Sequence, residues 1–320
     1  VEIVDAHLGR VLRAAGKGQW TVIVTADHGN AEKWLYPDGA VDTGHTDSPV
    51  PFFLLAPGGP VGLRKKGELT DIAPTVLHLL GIPKAPAMTG TTLVEGAVPP
   101  GGGQEKRVLL VILDGWGHRE DPRGNLIARA RTPVMDGLRE GGFLSVLEAA
   151  GSAVGLPPGT VGNSEAGHLH IGSGRRIPSD RVLIRTALED GSFFRNPAFT
   201  GAVRTAVKRG KALHLMGIVS FFSSHGSVDY LYALLDLAAK EGMDRVYVHA
   251  MLGRRGERPE SGAEYVGEIE RRCRERKLGK LVSVIGRFWS MDREEHWDRI
   301  EKTYRMLLYG EGTPVRDGRR

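Results

Sequence analysis

A serine that could carry phosphate chemistry stands where a predicted short helix begins. Ser164 follows a Gly/Pro turn over 155–159. The first turn of a helix leaves backbone N–H groups unpaired and carries partial positive charge, so it readily holds a phosphate group. Ser164 is therefore the candidate nucleophile, although a serine after Asn163 at a helix start is more commonly a plain cap.

Acidic and imidazole side chains follow two predicted strands. Asp27 and His28 come after one buried strand, and Asp114 ends another. His45 lies on the loop after the first pair. Such ligands suit Mn²⁺ or Zn²⁺, and two metals close together can clamp a phosphoryl group. Each of these motifs is also open to interpretation as an ordinary turn or loop without a metal, since Asp-Gly after a strand is usually a turn.

The apolar and turn patterns predict an α/β chain. Val108–Leu113 is apolar at every position, which favours a central parallel strand covered on both faces. The stretch 96–106 is rich in Pro, Gly and charge and is a predicted linker. A helix is predicted over Arg293–Leu308 and a hinge at Gly172-Ser173-Gly174. The other predicted strands are Trp20–Thr25, Val50–Leu55, Ala212–Ser220, Arg245–Ala250 and Leu281–Phe288.

Composition narrows the partners and the compartment. The 320 residues are enough for two domains. The net charge of +5 comes from scattered Lys and Arg, which favours small anionic ligands over nucleic acid. Cys273 is the single cysteine, so we expect a reducing, cytoplasmic compartment. No apolar run is long enough to cross a membrane, so no membrane partner is expected.

Five motifs of this chain jointly resemble those of one protein family. They are Thr25-Ala26-Asp27-His28-Gly29-Asn30-Ala31-Glu32, Gly44-His45-Thr46, Asp114-Gly115-Trp116-Gly117, Gly162-Asn163-Ser164-Glu165-Ala166-Gly167-His168 and Gly286-Arg287-Phe288-Trp289-Ser290-Met291-Asp292-Arg293. Jointly they resemble the cofactor-independent (2,3-bisphosphoglycerate-independent) phosphoglycerate mutases of the alkaline-phosphatase superfamily. The resemblance implies a partial alkaline-phosphatase-like three-layer sandwich and a second, partial α/β transferase domain.

The same resemblance implies that the family's segments stand in permuted order. Residues 1–95 are similar to the C-terminal part of the phosphatase domain and 107–176 to its N-terminal part, with the linker 96–106 between them. Residues 177–320 resemble an incomplete substrate-binding transferase domain. A central piece of the family is missing. A cropped tandem fusion, a permuted gene or a chimera would each give this order, whereas a plain circular permutation would retain the middle.

Carried over residue by residue, the resemblance assigns roles around phosphate. Ser164 corresponds to the serine that takes the phosphoryl group. One Mn²⁺ site is implied, with the ligands Asp114, Ser164, Asp27 and His28. His45 corresponds to a ligand of a second Mn²⁺, whose other ligands lie in the missing piece. One of the family's two metal sites is therefore expected to be largely incomplete.

The substrate-binding groups are only partly kept. Those that resemble the family's are His225, Arg255, Arg287 and Arg293. Phe221-Phe222-Ser223 stands where the family prefers Asp-Gly-Gly, and Gly256 replaces an Asp. Because glycines at such a loop allow close backbone approach, bulky replacements are expected to block or reshape the pocket.

The implied activity is that of a metal-dependent isomerase. It would interconvert 3-phosphoglycerate and 2-phosphoglycerate, in glycolysis and gluconeogenesis, through a phosphoserine intermediate. One alternative is a metal-dependent phosphomonoesterase or phosphonate hydrolase of the same superfamily. The other is a non-catalytic fragment or fusion remnant. The expected partner is a small-molecule phosphoglycerate, and self-association could supply missing elements.

Overall fold

The chain forms two compact units. A computed structural model describes residues 1–36, 38–97, 106–141, 144–220, 226–253 and 261–315. The first unit is Val1–Leu183 and the second is Ile184–Arg320. Within the described ranges, no helix is long and apolar enough to cross a membrane.

The first unit mixes strands and helices. Its strands are β1 (Thr21–Thr25), β2 (Val50–Leu55), β3 (Gly62–Leu63), β4 (Lys66–Glu68), β5 (Val94–Glu95), β6 (Val108–Ile112) and β7 (Leu144–Glu148). Its helices are α1 (Glu2–Lys17), α2 (Ile72–Leu80), α3 (Leu126–Arg129), α4 (Pro133–Glu140), α5 (Ser164–Ser173) and the start of α6 (Asp180–Glu189), with short 3₁₀ turns at Leu69–Asp71 and Gly151–Val154.

Segments before and after the predicted linker share one sheet. The strand order is β4-β7-β2-β1-β6. Ile23 of β1 pairs with Leu54 of antiparallel β2 on one side and with Leu110 of parallel β6 on the other. Phe52, Phe53 and Ile23 are completely or almost completely buried and form the centre of this unit's core. Burial of these large side chains is the main stabilising term of the sheet.

A second link joins the same two segments. Asp5 on α1 is buried, and its carboxylate accepts hydrogen bonds from the backbone N–H groups of Val134 (3.1 Å) and Met135 (2.9 Å). These N–H groups lie in the first turn of α4, where the preceding Thr132 makes no side-chain cap. Asp5 therefore caps α4 from another helix.

The position of β6 corrects the sequence expectation. Val108–Leu113 was expected to be a central strand covered on both faces. Among the described residues, β6 is instead the edge strand of the sheet, and all five of its residues are only half-buried. An apolar run reports how hydrophobic a strand is but not how many strands pair with it, which explains the difference.

The second unit is a βα series. Its strands are β8 (Leu213–Val219), β9 (Val246–Leu252) and β10 (Lys280–Gly286), all parallel in the order β10-β9-β8. Its helices are α7 (Pro197–Lys208), α8 (Val228–Lys240), α9 (Ser261–Arg276), α10 (Arg287–Ser290) and α11 (Trp297–Tyr309). Its own core centres on Leu235, Leu237 and Ile269. The predicted strands and helices are present, with ends that shift by a few residues.

The last helix begins later than the sequence predicted. The expected helix over Arg293–Leu308 begins at Trp297. The carboxylate of Asp292 accepts hydrogen bonds from the backbone N–H groups of Glu294 (3.1 Å) and His296 (3.0 Å). Glu295 also adopts a positive φ of 64°. This turn uses the backbone groups that a helix would need, so Arg293 lies before the helix.

Candidate metal centre

Two parallel strands bring the acidic residues together. Thr25 of β1 pairs with Ile112 of β6, so Asp27 and Asp114 leave the sheet at the same edge, from equivalent positions. Ligand atoms of Asp27, His28 and Asp114 all lie within 4.8 Å of one another. Ligands commonly bind beyond the carboxyl ends of parallel strands, which is where this cluster stands.

His28 presents one nitrogen to the cluster. Its side chain is buried, and Nδ1 lies 3.0 Å from the carbonyl oxygen of Gly29. Because a carbonyl oxygen only accepts, Nδ1 carries the proton. Nε2 faces the cluster, 3.2 Å from Asp114 Oδ1 and 3.6 Å from Asp27 Oδ2.

Asp27 has one satisfied and one unsatisfied oxygen. Its Oδ1 accepts hydrogen bonds from the backbone N–H groups of His28 (3.0 Å) and Gly115 (3.3 Å). Its Oδ2 is buried and has no hydrogen-bond partner among the described residues. His168 Nδ1 is 3.4 Å away, but it donates its proton to the carbonyl oxygen of Ser164 at 2.9 Å. A buried, unpartnered carboxylate oxygen is the kind of group that a cation satisfies.

Ser164 is the first residue of α5, and its hydroxyl joins the cluster. Asn163 is the cap, since its side chain accepts a hydrogen bond from the N–H of Ala166 at 2.9 Å. The plain-cap interpretation of Ser164 is therefore wrong. Its Oγ lies 3.0 Å from His28 Nε2. The serine hydroxyl, the imidazole and the two carboxylates thus converge on one point.

His45 borders this cluster on the neighbouring loop. Its ring stacks on that of His28, with centroids 4.1 Å apart. Its Nδ1 lies 3.0 Å from the carbonyl oxygen of Gly162 and so carries a proton, which leaves Nε2 as its free nitrogen.

The residues present fit a divalent cation. Asp27, Asp114 and His28 Nε2 bring possible ligand atoms together, and Asp27 Oδ2 has no hydrogen-bond partner in the part of the chain that the structure describes. Carboxylate and imidazole ligands are those that Mn²⁺, Co²⁺ and Zn²⁺ accept.

Two stretches of the chain match models of known protein families. Residues 1–84 match the family described as "Metalloenzyme superfamily", and 184–318 match "BPG-independent PGAM N-terminus (iPGM_N)". The 2,3-bisphosphoglycerate-independent phosphoglycerate mutase of Moorella thermoacetica is 47% identical over 205 residues, which cover 64% of this chain and 40% of that protein. The 2,3-bisphosphoglycerate-independent phosphoglycerate mutase 1 of Methanosarcina barkeri is 43% identical over 206 residues, which also cover 64% of this chain and 40% of that protein.

The chain is thus similar, over two separate stretches, to the metalloenzyme superfamily and to the N-terminal part of the BPG-independent phosphoglycerate mutases. It spans about 40% of the length of the curated relatives it matches. A solved structure of Leishmania mexicana phosphoglycerate mutase, determined at low cobalt concentration, is 27% identical with a TM-score of 0.49, covering 60% of this chain and 37% of that one.

Two of the four mutase-like substrate residues, Arg287 and Arg293, follow β10. Arg287 begins α10 and is half-buried, and Arg293 is exposed in the turn before α11. His225 and Arg255 lie outside the described residues, as do the departures at 221–223 and at Gly256.

Sequence reasoning missed two polar residues of this mutase-like centre. Glu32 is completely buried and Thr46 is nearly so, and their side chains are hydrogen-bonded to each other beside the site. Both stand in motifs that carry the resemblance. Their burial has no signature in the sequence, because each follows a glycine-rich loop that reads as exposed.

Proposed function

We propose that the first unit holds one divalent metal ion, Mn²⁺ by resemblance, on Asp27, His28, Asp114 and Ser164. The observation that carries the proposal is the 3.0 Å approach of Ser164 Oγ to His28 Nε2, beside two carboxylates. His45 is the remaining candidate ligand of a second ion. A bound cation would polarise the phosphoryl oxygens and make the serine hydroxyl more acidic.

In this proposal Ser164 Oγ attacks the phosphorus of a phosphoglycerate. The new Oγ–P bond replaces the substrate's ester O–P bond, and the serine proton ends on the released glycerate hydroxyl. The glycerate's other hydroxyl then attacks the phosphoserine and returns a proton to Ser164 Oγ. The net reaction interconverts 3-phosphoglycerate and 2-phosphoglycerate.

By resemblance, we propose Arg287 and Arg293 as substrate ligands. Arg287 and Arg293 carry forked guanidinium groups that suit phosphate or carboxylate. We further propose His225 and Arg255 as substrate ligands by resemblance alone.

The proposal extends to the organisation of the chain. Residues 1–95 and 107–176 are proposed to be the C-terminal and N-terminal parts of one phosphatase domain in permuted order, joined by 96–106. Residues 177–320 are the proposed partial transferase domain. A cytoplasmic location belongs to the same proposal, as does self-association that supplies missing elements.

A mutase assay tests the function. The chain is incubated with Mn²⁺ and 3-phosphoglycerate, without bisphosphoglycerate, and both 2-phosphoglycerate and inorganic phosphate are measured. We expect 2-phosphoglycerate to form, and Ser164→Ala to reduce its rate by more than about 10³-fold, because the nucleophile is lost.

Two other results of this assay would contradict the proposed mutase activity. Phosphate release without isomerisation would identify a phosphohydrolase, which the bulky Phe221-Phe222-Ser223 departure favours because the glycerate would be poorly retained. No product of either kind from folded protein would identify a non-catalytic chain.

A further inference from the structure

Glu32 is a completely buried carboxylate among the loops of the first unit. Its Oε2 accepts a hydrogen bond from the backbone N–H of Asn30 at 2.8 Å, and its Oε1 accepts one from the hydroxyl of Thr46. Gly117 packs so closely that an added Cβ would overlap the carboxylate. Burying a carboxylate is costly, so this placement calls for an explanation beyond loop packing.

Thr46 extends the contact to the loop of the candidate nucleophile. The Thr46 N–H donates to the carbonyl oxygen of Gly29 at 3.0 Å, and the Thr46 carbonyl oxygen accepts from the N–H of Gly162 at 3.2 Å. Glu32 thus holds Thr46, and Thr46 holds the backbone two residues before Ser164.

The same chain of contacts orients His45. This residue directly precedes Thr46, donates to the carbonyl oxygen of Gly162 and stacks on His28. On the other side of Glu32, the N–H of Ala31 donates to the carbonyl oxygen of Gly115, next to Asp114. Every loop that carries a candidate ligand is therefore tied to the segment around Glu32.

We propose that Glu32 is a positioning residue for the metal centre, which it serves without touching the metal or the substrate. Its carboxylate fixes the Asn30 N–H on the Asp27–His28 loop and the Thr46 hydroxyl on the His45 loop, and so sets the spacing of the ligands. The proposal rests on the proposed function for the identity of the centre, but the positioning itself does not depend on it. Partners that orient ligands in this way typically contribute 10- to 100-fold to metal affinity.

The test compares four variants of the full chain. Glu32→Ala removes both contacts. Thr46→Val removes the hydroxyl that binds Glu32 and, with it, an acceptor of the Ser48 N–H at 3.3 Å. Glu32→Gln keeps an acceptor of similar shape. Asp5→Ala is the matched control, since it also removes a buried carboxylate that accepts two backbone hydrogen bonds, but at α4. Amide exchange is measured at Thr46 and Gly162 without metal, and Mn²⁺ affinity is measured by calorimetry.

Glu32→Ala and Thr46→Val are expected to accelerate exchange at Thr46 and Gly162 and to weaken Mn²⁺ binding by about 10- to 100-fold. Glu32→Gln is expected to recover most of both properties. Asp5→Ala is expected to leave Mn²⁺ affinity unchanged and to accelerate exchange at Thr46 and Gly162 no more than at other amides of the first unit. Unchanged exchange and affinity in Glu32→Ala and Thr46→Val would overturn the positioning role. If Glu32→Ala does not fold, Thr46→Val decides alone. If the unaltered chain binds no Mn²⁺ while exchange still responds, the positioning stands and the proposed function fails.

Discussion

At the scale of single residues, the orientation of the His28 ring decides what the centre can bind. Its Nδ1 donates to the Gly29 carbonyl oxygen, so its Nε2 is turned toward the carboxylates of Asp27 and Asp114. Three groups with this many acceptor atoms favour a positive charge among them. The local geometry therefore favours a cation over a neutral ligand at this point.

A histidine pair in the second unit makes its stability depend on pH. His249 Nε2 lies 2.9 Å from His214 Nδ1, and its Nδ1 lies 2.7 Å from Ser283 Oγ. Burial and then the charge of His214 lower the pKa of His249 below its ordinary value of 6.5. The unfolded chain then binds more protons than the folded one, so the free energy of unfolding falls as the pH drops below about 6.5.

We expect β9 amides to lose protection in that pH window, after correction for intrinsic exchange rates. His249→Gln should flatten the dependence, because it removes the titrating group. An equally steep dependence in the variant would assign the effect to other groups.

At the scale of elements, the cap on α4 is the contact whose loss is easiest to measure. Asp5→Ala leaves the N–H groups of Val134 and Met135 without their acceptor. We expect the free energy of unfolding of the first unit to fall by about 1–3 kcal/mol, as for other buried groups left unsatisfied. Denaturant titration measures this loss. Asp5→Asn retains one acceptor oxygen and should lose less; equal losses would attribute the effect to packing instead.

Much of the element plan was readable from the sequence, because strands such as Val50–Leu55 have apolar runs bounded by turns. The order of the strands in the sheet could not be predicted from the sequence. β6 has the composition of a central strand but pairs with a single described strand, β1. The late start of α11 was also hidden, since it depends on hydrogen bonds that Asp292 makes to its own following turn.

The candidate centre likewise contains residues that the sequence predicts and one that it does not. The motif residues Asp27, His28, Asp114 and Ser164 meet because parallel strands end at one edge, which strand prediction anticipates. Glu32 could not be predicted as part of the centre, because its role depends on contacts with Thr46 and Asn30 that exist only in the folded loops.

At the scale of the whole molecule, the exposed edge of β6 predicts association. Among the described residues β6 has a partner on one side only, and its residues are all apolar. An apolar edge strand is a template for another chain. Sedimentation velocity should therefore show an average mass that rises with concentration. A monomer at every concentration would refute this expectation.

The pairing of β1 with β6 also has a consequence for how quickly each unit folds. Thr21 must find Val108 across almost half of the first unit's length, whereas β8, β9 and β10 pair with the next strand of a regular βα series. Distant pairings must overcome more chain entropy before they gain contacts, so folding slows as contact order rises. During synthesis, β1 and β2 are able to pair with each other first. The sheet is completed only after β6 and β7 emerge, so the candidate centre is among the last features of its unit to form.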